Sequence, residues 1–134
     1  MDPHVSLVTL GVSDLDRSIE FYRDGLGLPM RERTDADVAF FTTEGAWLAL
    51  YPVELLAADA NAADPTRDGG FGGITLAHNV ASRADVDAVV AEAEAAGAEV
   101  VKSPQETDWG GYAGYFDDPD GYRWEVAWNP HFEI

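Results

Sequence analysis

The chain repeats itself. Val5-Ser6-Leu7-Val8-Thr9-Leu10-Gly11-Val12 is an apolar, β-branched run and is expected to form a strand. Ser13 follows as a helix cap with Asp16 three residues on. Leu15, Ile19, Tyr22 and Leu26 then recur at helical spacing, before Gly25 and Gly27. The same order returns from Gly73-Ile74-Thr75-Leu76-Ala77-His78-Asn79-Val80. Ser82 and Asp85 repeat the cap, Val86, Val89, Val90 and Ala93 the stripe, and Gly97 the stop. Ser82 lies 69 residues after Ser13, and Gly97 lies 70 after Gly27. A period of this length marks a repeated structural unit.

Three short strands are expected after each helix, near 29–34, 38–43 and 46–52, then near 98–102, 112–117 and 122–128. Asp118-Pro119-Asp120-Gly121 supplies turn chemistry to the last pair. The fold class is therefore α+β, two βαβββ modules with a mainly antiparallel, curved sheet and helices near 13–25 and 82–96. The boundaries are about 5–52 for the first module, 53–71 for an Ala-, Asp- and Gly-rich linker with a short helix at 53–60, 72–128 for the second module and 129–134 for a tail. The 134 residues fit a single domain. One helix covers one face of a four-stranded sheet and leaves the other bare, so two such units predict a cleft lined by alternate strand residues.

Charge and composition exclude several classes. Eight basic residues face 25 acidic ones, a net charge of −17. Nucleic-acid affinity rests on Lys and Arg neutralising phosphates, so no nucleic-acid partner is expected. The acid spreads along the chain and reads as a hydrated surface or as adaptation to concentrated salt, which screens self-repulsion. With no cysteine, disulfides, thiolate metal sites and a cysteine nucleophile are excluded. No apolar run approaches the ~18 residues of a membrane helix, and the N-terminus lacks a secretory apolar region. A cytoplasmic protein with no membrane partner is expected.

Several stretches carry a family resemblance: Val8 to Leu15, Ser18 to Leu28 ending Phe21-Tyr22-Arg23-Asp24-Gly25-Leu26-Gly27-Leu28, Val86 to Gly97, and Phe116-Asp117-Asp118-Pro119-Asp120-Gly121-Tyr122-Arg123-Trp124-Glu125. In order and spacing the chain resembles the vicinal oxygen chelate superfamily of glyoxalase I, bleomycin- and fosfomycin-resistance proteins and extradiol dioxygenases. The resemblance implies paired βαβββ modules, a U-shaped sheet around a central site, and commonly a homodimer. In the metal enzymes of that family four strands each give one ligand. Their positions fall here on Leu7, Ala49, Thr75 and Glu125. Leu7 and Ala49 cannot bind a metal, a threonine hydroxyl is a poor ligand, and one carboxylate does not make a transition-metal site. No cofactor is expected, with a divalent metal on Glu125 as the alternative. His4 and His78 each lie three residues from a ligand position, so on the opposite strand face, and His131 is in the tail.

If those four positions face inward, alternation brings Thr9, Trp47, Tyr51, Ala77, Asn79, Arg123 and Ala127 to the same side. Thr9, Trp47, Tyr51, Thr75, Asn79, Trp109, Tyr115 and Glu125 are the candidate ligand-binding residues. Trp47 and Tyr51 suit a flat ligand. Trp109 belongs to the Gly- and aromatic-rich segment 108–115, which rims the site in small-molecule binders of the resembled family, and Tyr115 falls where fosfomycin-resistance proteins carry a ligand-contacting tyrosine. Glu125 is the one candidate catalytic residue, as a general base with Tyr115 as acid or oxyanion donor. The structural alternative has the aromatics filling space and Glu125 pairing with Arg123 or Asn79. Trp124, Val126 and Trp128, of opposite parity, are expected in the core under the second helix, and the tail over a sheet edge.

The expected function is metal-free small-molecule binding. The alternatives are a glyoxalase-like lyase or isomerase, or a dioxygenase, using Glu125 as metal ligand or general base, and a partner-binding module whose cleft is packed shut.

Overall fold

The computed structural model describes residues 1–62 and 70–131. Two compact units, residues 1–68 and 69–134, divide the chain. The remainder of the expected linker, 63–69, and the end of the tail, 132–134, lie outside the described residues.

The first unit holds β1 (Leu7–Val12), α1 (Leu15–Ile19), β2 (Ala39–Phe41), β3 (Trp47–Pro52) and α2 (Val53–Asp59). After Ile19 the helix continues through Glu20–Gly25 with π-helical bonding. The sheet order is β1-β3-β2, with β1 parallel and β2 antiparallel to β3. Alternation sends Leu10, Val12, Leu48, Leu50 and Phe41 to one buried face. Ile19 and Tyr22 from the helix are buried too, and the Tyr22 ring stands 6.1 Å from that of Phe41. Burial of side chains of this size contributes about 1.5–3 kcal/mol each.

Two expectations for this unit are corrected. The cap of α1 is Asp14, whose carboxylate accepts from the Arg17 amide at 3.1 Å, while Ser13 Oγ accepts from the Arg17 guanidinium at 3.0 Å. The strand expected at 29–34 shrinks to one bridge, Met30 with Phe41, framed by Arg31 N–H to the Phe40 carbonyl and Thr42 N–H to the Pro29 carbonyl, both 2.9 Å. Pro29 has no amide to donate. Beyond Arg33 the chain turns away, where Asp35 accepts from the Asp37 amide at 2.8 Å. The sheet thus has three strands and a bridge.

The second unit carries the full repeat: β4 (Thr75–Asn79), α3 (Arg83–Ala95), β5 (Glu99–Glu106), β6 (Tyr112–Asp117) and β7 (Arg123–Trp128), ordered β4-β7-β6-β5. β4 runs parallel to β7, and the other pairs are antiparallel. Each sheet is therefore mixed. Ser82 caps α3 as expected, accepting from the Asp85 amide at 3.1 Å and donating to its carboxylate at 2.8 Å. Val86, Val90 and Ala93 of α3 are buried, as are Phe116 and Val126 of the sheet. Trp124 stacks on Phe116 at 6.2 Å, and Trp128 is half-buried with the Arg83 guanidinium 4.4 Å above its ring. In the turn after β6 the buried Asp118 carboxylate accepts from the amides of Asp120 and Tyr122, both at 2.9 Å.

β5 is longer than the expected 98–102, and it is irregular. Its register against β6 shifts between Val100 and Lys102 and again between Lys102 and Gln105. Each shift adds one residue to β5. Gly114 of β6 allows this, because a Cβ there would stand 3.0 Å from the Pro104 nitrogen and 3.1 Å from the Lys102 carbonyl oxygen.

Candidate functional site

The face of the second sheet opposite Val126 and Phe116 carries the polar groups. Register places Thr75 beside Arg123, Ala77 beside Glu125 and Asn79 beside Ala127. On the other side of β7, Tyr115 lies opposite Glu125 and Asp117 opposite Arg123. Directly paired residues share a face. The first bulge then rotates β5 so that Lys102 meets Tyr115, with its ammonium 6.0 Å from the ring centroid.

The centre of this face is one hydrogen bond. Tyr115 Oη donates to Glu125 Oε2 at 2.5 Å, with both side chains half-buried. This bond, reinforced by burial and by the carboxylate's charge, pushes the Tyr115 phenol up to about 12. Glu125 Oε1 has no hydrogen-bond partner among the described residues. The expected alternative partners are corrected here. Arg123 instead makes a two-pronged pair with Asp117, at 2.8 and 3.0 Å, and Asn79 lies two residues along β4 from the neighbour of Glu125. A fork-to-fork fit explains why Arg123 prefers Asp117.

Beside the pair is a cleft of about 310 Å³, lined by Lys102, Gln105, Thr107, Trp109, Tyr115 and Glu125 among others. Trp109 is 44% exposed at its rim. The loop carrying it is fixed: Thr107 Oγ1 accepts from the Gly111 amide at 2.9 Å, and His131 Nε2 meets the Trp109 carbonyl at 3.0 Å. His131 therefore braces this loop. Only glycine fits at 111, since a Cβ would fall 1.9 Å from Trp109 Cζ3 and 2.5 Å from the Trp128 carbonyl oxygen. A second hollow of about 410 Å³ shares Lys102 and Tyr115 and is bounded by Phe71, Thr75, Val101 and Arg123.

Of the sequence candidates, Tyr115, Glu125 and Trp109 share one cleft, and Thr75 borders the neighbouring hollow. Asn79 is on the same face, at the other end of β4. Thr9, Trp47 and Tyr51 belong to the first unit, where they share a face with Leu7 and Ala49. His78 pairs with Val126, so it faces away from Glu125, and it is exposed. Lys102 and Gln105 escaped the sequence reading because simple alternation fails across the bulges. Pro104, a residue that strands tolerate mainly at edges and bulges, was the available signal.

The donor set does not fit a transition metal. Leu7, Ala49 and Thr75 offer no adequate ligand, and Glu125 is then a single carboxylate where such a metal wants three or four donors. Among the described residues no three His, Cys, Asp or Glu side chains converge.

Comparison with known proteins agrees with this architecture. A sequence model of the Glyoxalase/Bleomycin resistance protein/Dioxygenase superfamily matches residues 4–126. A glyoxalase-related enzyme from Fulvimarina pelagi is 33% identical, with a TM-score of 0.88 over 98% of this chain and 92% of that one. Lactoylglutathione lyase from Agrobacterium tumefaciens is 28% identical, with a TM-score of 0.74 over 99% of this chain and 100% of its own. A superfamily protein from Burkholderia phytofirmans PsJN shares the fold at 22% identity, with a TM-score of 0.83 over 93% and 98% of the two chains. With the family model spanning nearly its whole length, the chain belongs to the glyoxalase/bleomycin resistance protein/dioxygenase superfamily.

Proposed function

We propose that the chain binds a small organic molecule, without a metal, in the cleft beside Tyr115 and Glu125. The observation that carries this is the Tyr115–Glu125 hydrogen bond. It fixes one carboxylate oxygen and leaves the other open in a cleft rimmed by Trp109. A fixed acceptor beside an aromatic face is the usual composition of a small-molecule site. The ligand stacks on Trp109 and donates a hydrogen bond to Glu125 Oε1.

The test is ligand-induced thermal stabilisation across a small-molecule library, for wild type and Glu125→Gln. Hydrogen-bond-donating ligands are expected to bind Glu125→Gln about 1.5–3 kcal/mol more weakly, the worth of a charge-assisted hydrogen bond. A more stable variant with an unchanged ligand profile overturns the site. Stoichiometric metal in the purified protein, lost in Glu125→Gln, overturns the metal-free part.

The likeness to a glyoxalase-related enzyme supports a second reading. Glu125 Oε1 would accept a proton from carbon next to a carbonyl. As the carboxylate takes that proton its hold on Tyr115 weakens, and the phenol is released to donate to the substrate oxygen. This reading requires turnover that Glu125→Gln abolishes while ligand stabilisation persists.

A further inference from the structure

The basic side chains are scarce, and where they are left unpaired is informative. Eight of them face 25 acids. Arg23 pairs with Asp24, Arg83 with Glu106 and Arg123 with Asp117, each at 2.8 Å. In so acidic a chain a carboxylate is the default neighbour of an arginine. Yet neither Arg31 nor Arg33 pairs with a carboxylate among the described residues. The Arg31 guanidinium lies 5.1 Å from the Trp47 ring centroid, and Arg33 donates to the Ala36 carbonyl.

Both arginines line one cleft of about 280 Å³ in the first unit. Its floor is apolar and comes from the open face of the sheet. Leu7 and Trp47 are register partners, and Phe40 pairs with Ala49, two residues beyond Trp47, so all three side chains point the same way. The bond from Arg31 N–H to the Phe40 carbonyl holds the arginine-bearing segment along this floor. One acid, Glu32, is also at the cleft, so two guanidinium groups stand against a single carboxylate.

We propose that this cleft is a binding site for a planar aromatic carboxylate. The ring lies on Trp47, Leu7 and Phe40, and the carboxylate takes the forks of Arg31 and Arg33. Guanidinium matches carboxylate in a two-pronged geometry that a lysine lacks, and an arginine already stacked on an indole is held in place for it. The volume is at the small end of ligand pockets, which run to about 300–1,000 Å³, so the ligand is a one- or two-ring acid. The overall negative charge repels such an anion at long range, but that field is screened beyond about 8–10 Å at ordinary ionic strength while the contact pairs are not. Every residue that lines this cleft belongs to the first unit, so the titration below reads it without using Glu125.

The experiment is a calorimetric titration of the whole chain with 1-naphthoate and with 1-naphthamide, its uncharged counterpart. The Trp47 indole N–H is followed by NMR in parallel, assigned through Trp47→Phe. Saturable binding of naphthoate is expected, with naphthamide about 10- to 100-fold weaker, the range for one lost charge-assisted hydrogen bond or more. Arg31→Gln and Arg33→Gln are each expected to weaken naphthoate by about tenfold or more, with unchanged melting temperatures because both side chains are exposed. Arg23→Gln, which removes a paired arginine elsewhere, is expected to bind as wild type. Equal binding of acid and amide overturns the proposal. So does undiminished binding by both arginine variants, a Trp47 resonance that does not move, or no saturation at the solubility limit of naphthoate.

Discussion

Tyr115 is tied to Glu125 by a proton, and that proton gives a direct handle on the pair. A phenol raised to about 12 holds its proton more tightly in the folded chain than in the unfolded one, where the ordinary value is 10.0. The stabilisation from this bond is therefore complete below about pH 10 and disappears as the pH rises through about 12. Ultraviolet titration of tyrosinate is expected to show one phenol of the five ionising near 12. In Glu125→Gln the same group should return toward 10, because the carboxylate's acceptor strength and charge are both removed. A titration curve identical in the two proteins would mean that Tyr115 does not feel Glu125 in solution. At neutral pH the phenol, far below its raised value, keeps its proton and stays a donor, the state that both functional readings need.

The helices and the irregular strand separate what the sequence could and could not reveal. Substituting a cap residue by alanine typically costs about 1 kcal/mol. Ser82→Ala and Asp14→Ala are each expected to lose about that much in denaturant melts, whereas Ser13→Ala should change stability by no more than a few tenths of a kcal/mol. Equal losses from Ser13→Ala and Asp14→Ala would contradict the observed cap. Ser13 and Asp14 are both good capping types in adjacent positions, so residue type alone could not choose between them. The α3 cap, the helical stripes and the seventy-residue period were legible because each depends on local spacing. The Glu125 face was legible too, since β4, β6 and β7 alternate without interruption. The strand at 29–34 was not, because Pro29 and the turn at Asp35 cut short a run whose composition still looked extended. Lys102 was hidden for a different reason: its orientation depends on a residue added opposite another strand, and no count along its own strand detects that. The partner of Glu125 was likewise fixed by cross-strand register, with Tyr115 opposite it on β6.

In the molecule as a whole, four strands have a hydrogen-bonded strand neighbour on one side only among the described strands: β1 and β2 on either side of β3, and β4 and β5 at the two ends of the second sheet. Apolar side chains stand exposed along or just ahead of β1 and β4: Val5 at 64%, Leu7 at 39%, Phe71 at 64% and Ile74 at 73%. Unpaired edges of this kind template association, and a net charge of −17 resists indiscriminate contact, so pairing of one defined geometry is favoured. Light scattering at tens of micromolar is expected to give a homodimer, with Ile74→Lys shifting it toward monomer, since a charge blunts an edge at about the concentrations where a stable interface would hold. A monomeric wild type would count against this. The bulges of β5 have a further consequence for how such a protein can change over generations. Tyr115 and Glu125 sit in an uninterrupted ladder of β6 and β7, where any inserted residue would turn every following side chain inside out. Their neighbour β5 already absorbs two extra residues and keeps its pairing. One wall of the cleft can thus lengthen, shorten or exchange side chains while the proton-sharing pair stays still. Side chains that face the cleft from β5 can change without rebuilding the Tyr115–Glu125 pair beside it.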